Sequence, residues 1–329
     1  MAKDLVAVPN TGVADEQFAL TRAQFGQLAE VPAELEWLAN ITNAKTKRAY
    51  KIDVGEFSVF AGLRGPVELR LVTRAHVIAW RKHLASRNLA ASTIRRKLSA
   101  VSALFDYLCE RNAVAGNPVD GVKRPAAHSN EGSTPALGDA QARKLLDAPP
   151  EDTLKGVRDR AVLATLLYHG IRREELCSLK IRDIQSRQGV MRFRVHGKRD
   201  KIRFIPVHAM AQRLIEEYLA LARHGSDTAG PVFRPVTNNR TGDLQKPLDG
   251  STILKNIVRK YARETGVSTK IEGLCVHSLR ATAATNALDN KADIAKVQEW
   301  LGHANVSTTR LYDRRKTRPE DSLTFRVRC

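Results

Sequence analysis

From Pro32 to about Asn112 the apolar residues recur every three or four positions, the period of helices with one buried face. The pattern predicts helices over 32–41, 43–61, 73–87 and 91–112. In the last of these, Ile94, Leu98, Val101, Phe105 and Leu108 step by four, three, four and three along one stripe, and Ser92 or Thr93 can cap the start. Asn117-Pro118 and Arg124-Pro125 break the pattern, and AAHSNEGSTPALG (126–138) has the small, polar and helix-breaking residues of an exposed linker.

After the linker the period changes twice. DAQARKLLDA (139–148) and VRDRAVLATLLYHG (157–170) are helical, the second stopped by Gly170. VMRFRV (190–195) alternates apolar and basic residues, HGKRDK (196–201) turns the chain, and IRFIPV (202–207) returns. That is a hairpin, with Pro206 arguing for an edge strand. Helices follow at about 208–222, 251–265, 278–288, 292–301 and 305–312. The fold class expected is mainly α with a small β component. An N-terminal extension (1–30), weakly patterned apart from a short helix around Thr21 to Glu30, precedes a helical domain (31–125). The linker then leads to an α+β domain (139–315) and a tail (316–329).

A length of 329 residues suits two domains. Lysine and arginine number 54 against 35 acidic residues, a net charge of +19, while 43% of residues are hydrophobic. This is a folded chain with a polyanionic partner; a basic surface kept for solubility is the alternative. The charge is clustered in the first domain: Lys45, Lys47, Arg48 and Lys51 on one helix, Arg81, Lys82 and Arg87 on another, Arg95, Arg96 and Lys97 on a third. Such clusters suit phosphate contacts, although any one of them also fits a solvated helix face. Four scattered cysteines with no CxxC or Cys/His pairing, and no signal-like start, point to a reducing cytoplasm and no metal. No apolar run approaches the roughly 18 residues of a membrane helix, so no membrane partner is expected.

Four short patterns lie in the second half: GIRREEL (170–176), HGKRDK (196–201), HSLR (277–280), and LGH (301–303) with Tyr312 nine residues after the histidine. Each alone is what a basic surface produces by chance. Together and in this order they resemble the tyrosine recombinase, or phage integrase, family. The resemblance covers most of the chain and is specific in the second domain.

The resemblance implies an N-terminal SAM-like core-binding bundle and an α+β catalytic domain. It makes Arg172 the first catalytic arginine, with Glu175 in support, and Arg280 the second, with His277, His303 and the nucleophile Tyr312 completing the set. The family's hairpin lysine maps to Lys198, with Lys201 as fallback; Arg199 replaces a glycine there. Two further departures are Ala281, where many members carry histidine, and Glu174, where a small residue is common. The implied activity is site-specific DNA recombination through a 3′-phosphotyrosine, with no cofactor. The implied partners are duplex DNA and three further copies of the chain at a Holliday junction, in a bacterial cytoplasm and on the nucleoid when bound. A type IB-like topoisomerase, or a silent DNA-binding regulator, are the competing readings.

The residue types fit that chemistry. A phosphodiester gathers charge on its equatorial oxygens as it is attacked, and planar guanidinium forks hold such oxygens without losing their proton. A phenol with a pKa of about 10 needs a proton acceptor, a role for His277, and the leaving sugar oxygen needs a donor, a role for Lys198. His303 would donate a further hydrogen bond to the phosphate. The tail beyond Tyr312, with its alternating run Leu323 to Val327, reads as a device for docking on a neighbouring subunit, or as a frayed terminus.

Overall fold

The computed structural model describes residues 32–126, 134–197, 201–239 and 241–313. The expectations for residues 1–30, for Lys198 and for the tail lie outside these residues. The chain divides into two compact units, Met1–His128 and Ser129–Cys329.

The first unit is helical: α1 (Ala33–Asn40), α2 (Ala44–Ala61), a 3-10 turn (Pro66–Leu71), α3 (Arg74–Ser86) and α4 (Ala91–Glu110). The Asn43 side chain caps α2 by accepting from the Lys45 and Thr46 amides, and Gly62 ends it in the left-handed region at φ 70°. The stripe on α4 packs inward as its spacing requires, burying Ile94, Leu98, Val101, Phe105 and Leu108 with Phe57 and Trp80. These two aromatic rings meet edge to face at 5.0 Å. The start of α4 differs from expectation: its cap position is Ala90, with no side-chain bond, and Ser92 and Thr93 already lie inside the helix.

The basic clusters separate on inspection. Lys45, Arg48, Lys51 and Lys82 are exposed and Lys47 is half-buried. Arg81 and Arg95 donate to the carbonyls of Lys123 and Pro125, at 2.8 and 3.1 Å, and so tie down the segment that leaves the bundle. Arg87 pairs with Glu56, and Arg96 with Asp53, while each keeps nearly half of its side chain in solvent. Lys97 is a correction. It is 6% exposed, lies beside Leu98 on the inner face of α4, and holds Asp53 at 3.1 Å and also Glu56. A lysine here neutralises two carboxylates one turn apart on α2 and is not available to DNA.

The second unit comprises α5 (Asp139–Leu146), α6 (Leu154–His169), α7 (Arg173–Ser178), three strands, and α8 (Ala209–Ala222). Gly250–Thr252, the π turn Ile253–Val258 and Arg259–Glu264 then run on as α9, followed by α10 (Val267–Lys270), α11 (Val276–Asp289), α12 (Ile294–Leu301) and α13 (Val306–Arg310). The strands are β1 (Ile184–Arg187), β2 (Val190–His196) and β3 (Ile202–Pro206), an antiparallel sheet in the order β1-β2-β3. The hairpin therefore gains a third strand, and Pro206 sits on an edge strand as expected, opposite Arg192.

Helix α6 is apolar on nearly every side and packs against α8 and α11 at the centre of this unit. Its two buried charges are satisfied locally. Arg158 donates from Nε and Nη2 to one oxygen of Asp159, while Tyr261 and Lys155 donate to the other at 2.9 and 2.7 Å. Thr153 caps its start, and Gly170 ends it at φ 56°. A Cβ on Gly170 would stand 2.8 Å from Leu301 Cδ2, so the end of α6 approaches the end of α12 more closely than any other residue allows.

Replacing Lys97 with methionine keeps the stem but strands Asp53 in the core without its lysine. We expect a loss of about 3 kcal/mol in stability, read as a lower urea midpoint. DNA affinity of the folded variant is expected to stay within about twofold of the parent, measured below its melting range; a large selective loss of affinity would return Lys97 to the DNA surface.

Candidate active site

Two helix ends and one helix start make the centre. Arg280, in the second turn of α11, is 1% exposed. It donates to the carbonyl oxygen of Gly170 and, at 2.6 Å, to that of Leu301, the last turns of α6 and α12. These are carbonyls with no partner within their own helix, at the negative end of the helix dipole. Burial, and then the neighbouring Arg172 charge, lowers the guanidinium to about 10, which leaves it charged at neutral pH.

Arg172 precedes α7. Its side chain donates to Glu175 Oε1 at 2.7 Å and to the Gly302 carbonyl at 2.9 Å, and its amide donates to Glu175 Oε2 at 2.7 Å. Glu175 is 6% exposed, and burial alone would raise its carboxyl. Hydrogen bonds from Arg203 and from the Arg172 amide overcome that and hold it at about 2.

Gly302 ends α12 in the left-handed region at φ 66° and turns the chain toward His303. His303 Nε2 lies 2.9 Å from Arg280 Nη2 and its Nδ1 lies 2.9 Å from Thr309 Oγ1. A guanidinium has only donors, so Nε2 accepts and the ring proton sits on Nδ1, facing Thr309. Burial, followed by the charges of Arg280 and Arg172, lowers His303 to about 4 and keeps it neutral. In this arrangement Nε2 of His303 is an acceptor engaged by Arg280.

Tyr312 follows α13 and is 6% exposed, packed with Ala281, Ala284, Leu288, Val297 and Leu301. Ala281 is wholly buried in that cluster, so a histidine there would have to displace it. Tyr312 Oη lies 2.9 Å from His277 Nε2. Burial raises the phenol, and the charges of Arg280 and Arg172 pull it back. Burial, then the same two charges, lowers His277, so its ring is neutral at pH 7 and its Nε2 is free to take the phenolic proton.

Helix α11 begins two residues before the expected 278, at Val276. Cys275 occupies the cap position of α11, and Ser278, three residues in, accepts from the Cys275 amide at 3.1 Å. Arg172, Glu175, His277, Arg280, His303 and Tyr312 thus gather in one place, while Lys201 is exposed at the end of the hairpin. The Gly197 amide donates to the Lys201 carbonyl at 2.7 Å, closing the turn. Glu174, the other departure from the family pattern, is exposed and pairs with Arg173.

Two members of the site were missed. Thr309 accepts from His303 Nδ1 in the tautomer that Arg280 sets, and no spacing announces it. Arg203 forks onto both oxygens of Glu175 at 3.0 and 2.8 Å, and donates from Nε to the Trp300 carbonyl at 3.2 Å. Its signal was present: on β3 it shares a face with the buried Ile205, two residues on, so its charge points inward and requires a partner.

The defining pattern of the phage integrase family matches residues 136–318, and that of the phage integrase N-terminal SAM-like domain matches residues 36–112. The tyrosine recombinase XerC of Thermodesulfovibrio yellowstonii is 32% identical over 279 residues, covering 82% of this chain and 85% of that protein. Among solved structures, the XerH site-specific recombinase in a post-cleavage complex with palindromic difH superposes with a TM-score of 0.65 at 20% identity, over 85% of this chain and 80% of that one. A lambda integrase tetramer bound to a Holliday junction gives 0.58 at 19% identity, over 86% and 76%. The two solved structures carry the fold, and the sequence matches carry the kinship: the chain belongs to the phage integrase family, with a SAM-like domain ahead of its tyrosine recombinase domain.

Proposed function

We propose that this protein is a site-specific DNA recombinase that acts on duplex DNA in the cytoplasm, cutting and rejoining strands through a covalent tyrosine intermediate. The observation that carries the reading is the Tyr312 hydroxyl, 2.9 Å from a neutral imidazole acceptor and beside two guanidinium groups. In the first step the Tyr312 oxygen bonds to phosphorus and its proton passes to His277 Nε2. The bond from phosphorus to the 5′ oxygen breaks, and that oxygen takes a proton from Lys198, leaving a 3′-phosphotyrosine and a free 5′ hydroxyl. Arg172 and Arg280 face the non-bridging oxygens, where charge builds up. The ester keeps the energy of the broken bond, so attack by a hydroxyl of another strand reseals the DNA and releases the tyrosine.

His303 joins this step once a phosphate takes over Arg280. The guanidinium then no longer needs the imidazole as acceptor, and the ring can reorient to donate. The domain roles follow the same reading: 31–125 grips one side of the duplex, 139–315 carries the chemistry, and 126–138 connects them. Lys45, Lys47, Arg48, Lys51, Arg81, Lys82, Arg87, Arg95, Arg96 and Lys201 supply phosphate contacts. Four copies exchange strands through a Holliday junction; the lambda integrase neighbour is a tetramer bound to such a junction. The segment 316–329 docks on a neighbouring copy. Nucleoid association follows from site binding.

Tyr312→Phe removes one oxygen and leaves the packing intact. The variant is expected to bind its site normally and to give no covalent complex with a nicked suicide substrate on a denaturing gel. An adduct would remove Tyr312 from the mechanism, and plasmid relaxation by the parent without recombination would favour the topoisomerase reading.

The pH profile of covalent-complex formation follows from His277. At subsaturating substrate the rate reports the free protein, in which burial holds His277 below its ordinary value; cleavage needs the neutral ring, so that rate is expected to fall only at a pH lower than an ordinary imidazole would set. His277→Asn keeps a polar group but loses that acid limb and about 100-fold in rate. An unchanged limb in the variant would reassign the base.

A further inference from the structure

We infer that Arg203 is a positioning residue of the cleavage reaction: it neutralises Glu175 so that the charge of Arg172 remains available to the scissile phosphate. The inference rests on the reading of Arg172 as a phosphate ligand and adds to it a residue outside the family's signature as identified from the sequence.

Glu175 accepts four hydrogen bonds. Its Oε1 takes Arg172 Nη1 at 2.7 Å and Arg203 Nη1 at 3.0 Å, and its Oε2 takes the Arg172 amide at 2.7 Å and Arg203 Nη2 at 2.8 Å. One buried carboxylate is thus held between two guanidinium groups. Its service to Arg172 is orientation, from the side chain and the backbone at once. Its cost is electrostatic, since a carboxylate at 2.7 Å from a catalytic guanidinium cancels the field that the arginine exerts on an approaching anion.

Arg203 removes that cost. Two guanidinium charges against one carboxylate leave a net charge of one. The geometry directs that remainder outward: Arg203 has 16% of its side chain exposed against 29% for Arg172, so the inner cation faces the carboxylate and the outer one faces solvent. Arg203 is fixed in this place from a second side, because its Nε donates to the Trp300 carbonyl and its guanidinium lies against Gly302, where a Cβ would stand 3.3 Å from Nη1. The same Gly302 offers its carbonyl to Arg172. With the counter-charge absent, Arg172 and Glu175 would form a neutral pair, still correctly oriented but weak toward phosphate.

The test separates charge from scaffolding. Single-turnover cleavage would be measured on two suicide substrates, one with the natural phosphodiester and one with a methylphosphonate at the scissile position, which lacks the charge that Arg172 faces. Variants are Arg203→Met, Arg203→Lys and, as reference, Arg172→Ala, with melting temperature and noncovalent affinity recorded for each.

On the natural substrate Arg203→Met is expected to lose about 100-fold in rate, the size of a lost charge-stabilising group, and Arg203→Lys less than about tenfold, because the charge survives without the fork. On the methylphosphonate the Arg203→Met and Arg172→Ala defects are both expected to shrink by at least about tenfold. Equal Arg203→Met defects on the two substrates, with Arg172→Ala rescued, would overturn the inference and make Arg203 a structural residue. An Arg172→Ala defect that does not shrink would overturn the reading of Arg172 itself, and the inference with it. Should Arg203→Met fail to fold, Arg203→Lys decides: a loss as large as about 100-fold, unequal to its melting behaviour and unrelieved on the methylphosphonate, counts against the charge role.

Discussion

The arrangement depends on burying one guanidinium. A cation that is 1% exposed would be costly without partners, and Arg280 finds them in the last carbonyls of two helices, at Gly170 and Leu301. Main-chain oxygens at helix C-termini have no intrahelical partner and carry the negative end of the dipole, so one side chain answers both deficits. This solution constrains everything around it. Helices α6 and α12 must end at the same point, and each does so at a glycine in the left-handed region, at φ 56° and 66°. Those turns deliver the start of α7 with Arg172 on one side and the segment with His303 and Tyr312 on the other.

Positive charge in this chain falls into two populations with different work. Lys45, Arg48, Lys51 and Lys82 stand in solvent, where their contribution to a polyanion is long-range and screened by salt. Lys97, Arg158, Arg203 and Arg280 are turned inward, three of them onto carboxylates and the fourth onto carbonyls. A formal charge of +19 counts both alike, so the composition overstates what DNA meets at the surface.

The same distinction explains what could be read from the sequence. Helices with a one-sided stripe, such as α4, were legible because burial of apolar side chains imposes the 3.6-residue period directly. The hairpin was legible from alternation, but β1 was not: Ile184–Arg187 is short, mostly exposed and without alternation, and it exists because β2 offers it a ladder. Arg172, Glu175, His277, Arg280, His303 and Tyr312 were found as residues of short patterns, and the fold brings them together. Lys97 was misread because a lysine in a run of three basic residues looks solvated, whereas its partners Asp53 and Glu56 lie some forty positions away on another helix. Thr309 was invisible for a related reason, and Arg203 showed only that it needed a partner, not which one. Their significance is a hydrogen bond to a group that only tertiary structure brings near.

The histidines show why the centre is built with cations on every side. His277 and His303 are both lowered by burial and by Arg280 and Arg172, so both rings are neutral, but they are held differently. His303 has each nitrogen engaged, by Arg280 and by Thr309, and is set in one tautomer. His277 has its Nε2 on the phenol of Tyr312. In the proposed reaction a phosphodiester entering this cage brings a negative charge, and by the Coulombic argument that lowered the imidazole it makes His277 a stronger proton acceptor. The same anion opposes formation of a phenolate, so the phenolic proton is best surrendered as the oxygen bonds to phosphorus and not before. Proton transfer and bond formation are then coupled by the charges already in place: burial keeps Tyr312 protonated, and the arrival of phosphate strengthens His277, the base 2.9 Å from its oxygen.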